Sequence, residues 1–374
     1  MVGGNPAGLA AAERELGLDS KTLTFRPSPY GYPIDEVLWD DDDGRIVCEL
    51  KRWRLLPRVL RDFDVVHFNF GSTIAPQRIP PDAPGAKPRN LVERMYAAAV
   101  EQLDLWVLAR AGKAIFVTFQ GQDARQGNVA SRLRVNDVAE AAPGRYSPAS
   151  DAYKRRRIAR LDRHAHGIYA LNPDLLRVLP ARARFVPYAH VDVHAWGPPV
   201  PCERPPLPVV LHAPTNRATK GTRFLVDAIG RLQAEGIELD FRLVEGLTQA
   251  EARALYPSAD LVVDQLLVGW YGGLAVEAMA LERPVVAYLR GEDLDVLPRE
   301  MRAQIPVIQA EPATIYGVLK ELLTTRHRDL PELGRRSRAY VSRWHDPRRI
   351  AKELVADYEA AVAAVRGGSR ATSG

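Results

Sequence analysis

Along the chain, short apolar runs rich in β-branched residues alternate with longer stretches whose apolar positions recur every three to four residues. That is the pattern of repeated strand–helix units around a parallel sheet. Residues 64–70 (DVVHFNF) read as a strand entering a Gly71-Ser72-Thr73 turn. Residues 90–110 set Leu91, Met95, Ala98, Leu103 and Leu108 on one helical face, with Gly112 beyond as a C-cap. Residues 114–119 form a second strand that ends in the polar loop 120–125. Residues 167–171 form a third, after which Asn172 is placed to cap a helix with Pro173 in its first turn.

Residues 194–207 hold five prolines and no periodicity, the composition of a stiff linker. Beyond it the rhythm restarts, with strands at 208–212, 239–244, 261–264 and 284–289 and helices at 222–234, 249–256 and 275–281. The pattern predicts an α/β chain of two Rossmann-like domains, 1–193 and 208–345, followed by a helix over 346–374 with a frayed tail. Residues 1–8 are a Gly-rich loop running straight into a helix, with no strand before it. Phosphate-approaching turns of this kind follow strands, so we expect a first strand of about 5 to 8 residues upstream of Met1.

Composition narrows the picture. The 374 residues, 46% hydrophobic and 26% charged, suit two or three folded domains and exclude a mainly disordered chain. A net charge of +5 is too small to argue for nucleic acid. Cys48 and Cys202 are too far apart for a disulfide framework or a thiolate metal site, which fits a reducing, cytoplasmic setting. Apolar runs stay well short of the ~18 residues that a membrane span needs, and the N-terminus does not read as a secretory signal. Any membrane contact would be peripheral, at the inner face.

Two clusters carry candidate chemistry. In residues 211–222 (LHAPTNRATKGT) Asn216, Arg217, Lys220 and Gly221 lie between an apolar strand and a helix start, where cations and free amides suit a diphosphate. Thr222 is read there as an N-cap. In residues 269–280 (GWYGGLAVEAMA) Tyr271, Gly272 and Gly273 precede a helix carrying Glu277, whose carboxylate can accept hydrogen bonds from ribose hydroxyls. Each cluster alone is also compatible with an ordinary capped loop.

Together, and in this order with Ala259-Asp260 and Pro284-Val285-Val286, the clusters resemble the nucleotide-sugar site of retaining GT-B glycosyltransferases of family four. The resemblance implies two Rossmann-like domains facing a cleft, with the last helix crossing back to the first domain. It also implies a metal-independent transferase moving a sugar from a nucleotide diphosphate sugar to a saccharide, lipid-linked or small-molecule acceptor, as in surface polysaccharide or glycoconjugate synthesis. No cofactor is implied beyond the donor substrate. Arg217 and Lys220 would neutralise the leaving diphosphate, and Glu277 would bind ribose. Gly4, Asn216, Gly221, Tyr271, Gly272 and Gly273 would line the donor site. Two departures stand out: Gly269 occupies the place of the family's first paired glutamate, and Gln120 that of its sugar-side histidine. Asp123 is assigned with the catalytic residues. His67, Asn69, Gln120 and Arg125 are assigned to the acceptor or sugar. Alternatives are a non-catalytic nucleotide-binding scaffold and a nucleotide-sugar 2-epimerase of the same fold.

Residues 40–43 (DDDD) contain an Asp-x-Asp spacing but read as a solvated acidic turn rather than a metal site. Lys154 to Arg157, with Arg160 and Arg163, read as a solvated basic helical face able to meet anionic lipid headgroups.

Overall fold

The computed structural model describes residues 4–78, 90–130, 146–197 and 206–371. Most of the proline-rich stretch, 198–205, including Cys202, lies outside the described residues, as does Gly3. The first sheet has four parallel strands in the order β3 (Val65–Asn69), β4 (Ala114–Phe119), β5 (Gly167–Ala170) and β6 (Arg184–Phe185). Two short strands, β1 (Leu23–Thr24) and β2 (Glu36–Val37), pair separately. The second sheet is also parallel. It runs β11 (Ile308–Gln309), β10 (Val285–Ala287), β9 (Leu261–Val263), β7 (Val209–His212), β8 (Asp240–Leu243).

Both sheets are covered on both faces, so their strands need near-continuous apolar sequence. All six residues of β4 and all four of β7 are buried. In the Thr222–Ala234 helix Leu225, Ala228, Ile229 and Leu232 follow the i, i+3, i+4, i+7 spacing and face the second sheet's core. The last helix, Pro347–Ala371, returns to the first domain. Its Ile350, Ala351, Leu354, Tyr358 and Ala361 pack with Leu9 and Ala12 of the first helix (Asn5–Glu15) and with Phe116 and Tyr169 of the sheet.

Two expectations are corrected. The stretch 90–110 is two helices, Leu91–Val100 and Leu103–Arg110, broken at Gln102, whose φ is +63°. Leu91 and Met95 therefore face outward, while Leu108 is fully buried. The break is fixed by the buried Asp104 carboxylate, which accepts from the Ala75 amide at 2.9 Å. The basic stretch within Pro148–His164 is only partly a solvated face: Lys154 and Arg157 turn inward, donating to the backbone carbonyls of Arg125 and Asp123. Arg155, Arg156 and Arg163 stay exposed. No helix among the described residues is long and apolar enough to cross a membrane.

In the second sheet the chain passes from β7 to β8 on one side and then to β9 on the other. The crevice beyond the C-terminal ends of β7 and β9 is thus a topological switch point, where open α/β sheets bind ligands because the flanking loops diverge.

Candidate functional site

The loop after β7 folds as a one-turn helix, Arg217–Lys220, followed by Thr222–Ala234, with Gly221 between them at φ +76°. Gly221 is the N-cap of the longer helix, so Thr222 begins it rather than capping it. The Thr222 hydroxyl instead meets His212 Nε2 at 2.8 Å, while His212 Nδ1 meets the Val263 carbonyl at 2.7 Å. Asn216 caps the short helix, its Oδ1 accepting from the Thr219 amide at 2.9 Å. The turn separates the two cations. Lys220 points into the crevice, its Nζ 2.7 Å from Asp264 Oδ1 at the end of β9. Arg217 points out and donates to Glu245 at 2.8 Å, which raises its pKa.

Asp264 has no exposed surface, and its second oxygen accepts from the Gly272 amide. Gly272 is the N-cap of the Gly273–Ala280 helix. A β-carbon there would lie 2.9 Å from Lys220 Nζ and 3.2 Å from Asp264 Oδ2, so only glycine allows this approach. A cation, a helix N-terminus and a buried carboxylate thus meet at one point of the switch crevice. Tyr271 is turned away from it: fully buried, its hydroxyl bonds Tyr340 and His345 Nε2 at 2.9 and 2.8 Å, and burial drives its pKa well up. Gly269 is pressed against Arg290, whose Cβ would stand 2.6 Å from a β-carbon at 269. A larger side chain does not fit there without displacing Arg290.

Glu277 lies one turn into the same helix and is only 2% exposed. Gln249 donates to its Oε1 at 3.2 Å, and Tyr256, bonded to it, has its pKa raised chiefly by burial and further by this carboxylate. From the first domain, His190 Nε2 approaches Glu277 Oε1 to 3.5 Å, and the charge of Glu277 is also felt by Tyr32. Two further contacts join the domains: Gln249 donates its amide to the Tyr30 carbonyl at 2.8 Å, and Arg177 reaches the buried Asp293 at 2.6 Å.

The candidate residues of the first domain are held differently. Asp123 accepts from the amides of Gln120 and Gly121 at 3.0 and 2.7 Å, closing the loop after β4, while burial raises its pKa. Arg125 makes two bonds, at 2.6 and 3.0 Å, to the buried Asp174. His67 bonds Tyr358 and Thr118 at 2.6 and 2.7 Å, beneath the last helix, and desolvation pulls its pKa to about 4. Asn69 and Gln120 bond each other at 3.1 Å at the strand ends. Asn172 makes no helix cap. Its amide donates to the Gln120 carbonyl and its oxygen accepts from Tyr188 at 3.0 Å. Gly4 caps the first helix and touches Tyr32, whose ring would lie 2.8 Å from a β-carbon at position 4. Asp40, Asp41 and Asp42 are exposed and Asp43 is half-buried, with Asp40 and Asp43 both 2.6 Å from Lys51.

Sequence reading placed Asp264 in the aspartate-containing strand 259–264 without giving it a role in the site, and missed His190. Asp264 had a signal, a carboxylate inside an apolar strand, which cannot be buried without a cation. His190 had only its place in a loop just past a strand's C-terminal end.

No protein-family model and no curated protein sequence matches the chain. Its structure does have relatives. Sucrose-phosphate synthase from Thermosynechococcus elongatus aligns at 16% identity over 95% of this chain and 92% of its own, with a TM-score of 0.58. The Anabaena protein HepE, in a complex with UDP-glucose, aligns at 12% over 96% and 97%, TM-score 0.57. A Rickettsia africae glycosyltransferase aligns at 10% over 96% and 94%, TM-score 0.55. The chain has the GT-B fold, the alignments covering 95% and 96% of it.

Proposed function

We propose that the protein is a glycosyltransferase that binds a nucleoside diphosphate sugar in the crevice of its second domain and transfers the sugar to an acceptor held by the first. One observation carries this reading: Lys220 Nζ, the helix N-terminus that opens at Gly273 and the Glu277 carboxylate line one switch-point crevice closed by the other domain. Breaking a bond to a diphosphate leaves negative charge on the departing oxygen. An ammonium and an amide fixed in advance stabilise that charge without reorganising at the moment of reaction. Lys220 has three N–H donors, of which Asp264 occupies one and thereby aims the other two. Glu277, desolvated yet supplied with donors, suits the paired hydroxyls of a ribose. Domain closure would keep water from the reacting bond. The likeness over 96% of the chain to one protein named a glycosyltransferase and to another that holds UDP-glucose supports the same reading.

We propose further that transfer is retaining and needs no metal, with Lys220 supplying the positive charge at the diphosphate. Thermal-shift screening against the common nucleoside diphosphates, followed by transfer assays with the matching sugars, tests the proposal. Stabilisation by one base, product whose anomeric configuration matches the donor, and rates unchanged by EDTA are expected. A protein stabilised by no nucleoside diphosphate would refute it.

A second reading, a non-catalytic nucleotide-binding scaffold, draws on Asp264, which neutralises Lys220 in the crevice. Asp264→Asn separates the two. If Asp264 aims Lys220, the variant lowers turnover. If it only blocks the diphosphate, the variant binds nucleotide more tightly and the wild type shows no turnover.

A further inference from the structure

The loop 186–192 between β6 and the Val193–Trp196 helix is held unusually closely. Asn5 Oδ1 accepts from the Ala189 amide at 2.6 Å, and a β-carbon at Gly8 would come within 2.2 Å of the Ala189 oxygen and 2.6 Å of His190 Cα. The glycine-rich start of the first helix therefore serves to seat the backbone of His190. That seating carries the imidazole across to the second domain, 5% of the side chain exposed, with Nε2 3.3 Å from where a Gly273 β-carbon would stand. Gly273 opens the helix whose N-terminus faces Lys220.

His190 Nδ1 is buried without a hydrogen-bond partner. With no acceptor at Nδ1, the neutral ring keeps its proton on Nε2, the nitrogen facing Glu277. At 3.5 Å that contact is too long for a strong hydrogen bond. Glu277 does not depend on it, since Gln249 and Tyr256 already bond its carboxylate. Nε2 also stands beside Gly273 at the helix N-terminus, with the long Glu277 contact its nearest acceptor.

We infer that His190 is a diphosphate-binding residue of the donor site. Its Nε2–H donates to a phosphate oxygen seated between the Gly273 amide and Lys220, while Glu277 is left for the ribose. The inference rests on the donor-site reading above and adds that the first domain contributes a direct ligand to the diphosphate, so that only the closed arrangement completes the site.

Isothermal titration of nucleosides and their 5′-diphosphates against wild type, His190→Ala and His190→Gln tests it. For the base that the wild type selects, His190→Ala should weaken the diphosphate by about tenfold or more, the loss of a hydrogen bond to a charged group. The nucleoside should change by less than about twofold, and His190→Gln, which keeps an N–H donor, should recover part of the loss. If His190→Ala weakens nucleoside and diphosphate equally, or neither, the inference fails while the donor site stands. If the wild type binds no diphosphate, both fail. Should His190→Ala not fold, His190→Leu, which keeps bulk but has no donor, takes its place, and a ratio of nucleoside to diphosphate affinity equal to that of the wild-type protein overturns the inference.

Discussion

The two domains use the same strand–loop–helix unit and charged residues of the same kinds at their strand ends, yet treat those charges in opposite ways. In the first domain Asp123 is bonded to loop amides, Arg125 to Asp174, and Arg157 and Lys154 to carbonyls of the same loop. Each charge is taken up by loop backbone or, for Arg125, by a partner carboxylate. In the second domain Lys220, Asp264, Gly272 and Glu277 converge on one crevice, and a histidine arrives from the other side. Topology explains the contrast. The described strands of the first sheet follow one another in order, β3 to β6, so successive loops lie side by side and brace each other. The second sheet reverses direction between β7 and β9, so its loops part and leave room. Charge at a strand end therefore marks a site only where the sheet order opens a crevice beside it.

Acid should strain both domains alike and gives the largest effect. His67, His212 and His345 have pKa values lowered by burial to about 4, 4 and 3. Unfolded, each would take a proton near pH 6.5, so the stability that goes with keeping them neutral is complete above that pH and is lost as pH falls towards 4. About 3 kcal/mol per histidine is expected, enough together to unfold the chain. Denaturant titrations at pH 7, 5.5 and 4.5 would show it, and a flat profile would break the account of these three side chains.

Arg125→Ala should cost about 3–5 kcal/mol of stability, because it leaves Asp174 buried and unpaired. Its effect on nucleotide affinity should be small. If calorimetry instead finds normal stability and lost transfer, Arg125 belongs to the acceptor site and the contrast between the domains collapses.

Lys220→Ala should lower turnover by about 10²–10³ with nucleoside affinity kept. Because Asp264 is left uncompensated, the double variant with Asp264→Asn should regain stability but not rate. Recovery of rate would reduce Lys220 to a partner of Asp264.

The smallest effect is expected at Arg217, which lies exposed against Glu245. Arg217→Ala should leave the melting temperature unchanged and raise the KM for the donor by less than tenfold. A larger loss would mean that Arg217 swings from Glu245 onto the diphosphate.

The local chemistry of the second domain was legible in the sequence. Strand, polar turn and helix start are short-range patterns, and Lys220, Gly272 and Glu277 each sit at a fixed offset from a helix N-terminus. The break at Gln102 was not legible, since it depends on a carboxylate from the next turn reaching Ala75. Nor was the inward turn of Lys154 and Arg157, because a run of basic residues does not say which of them will face a carbonyl.

By itself, then, the sequence determined the two α/β halves, the returning helix and the helix-start loops after β7 and β9, because hydrophobic period and helix-start chemistry act over a few residues. Only the tertiary structure decided that Lys220 and not Arg217 enters the crevice, that Asp264 lies beneath it, and that His190 crosses from the other domain. Those outcomes depend on strand order and on groups that meet across tens to hundreds of residues of chain, where no local pattern reaches.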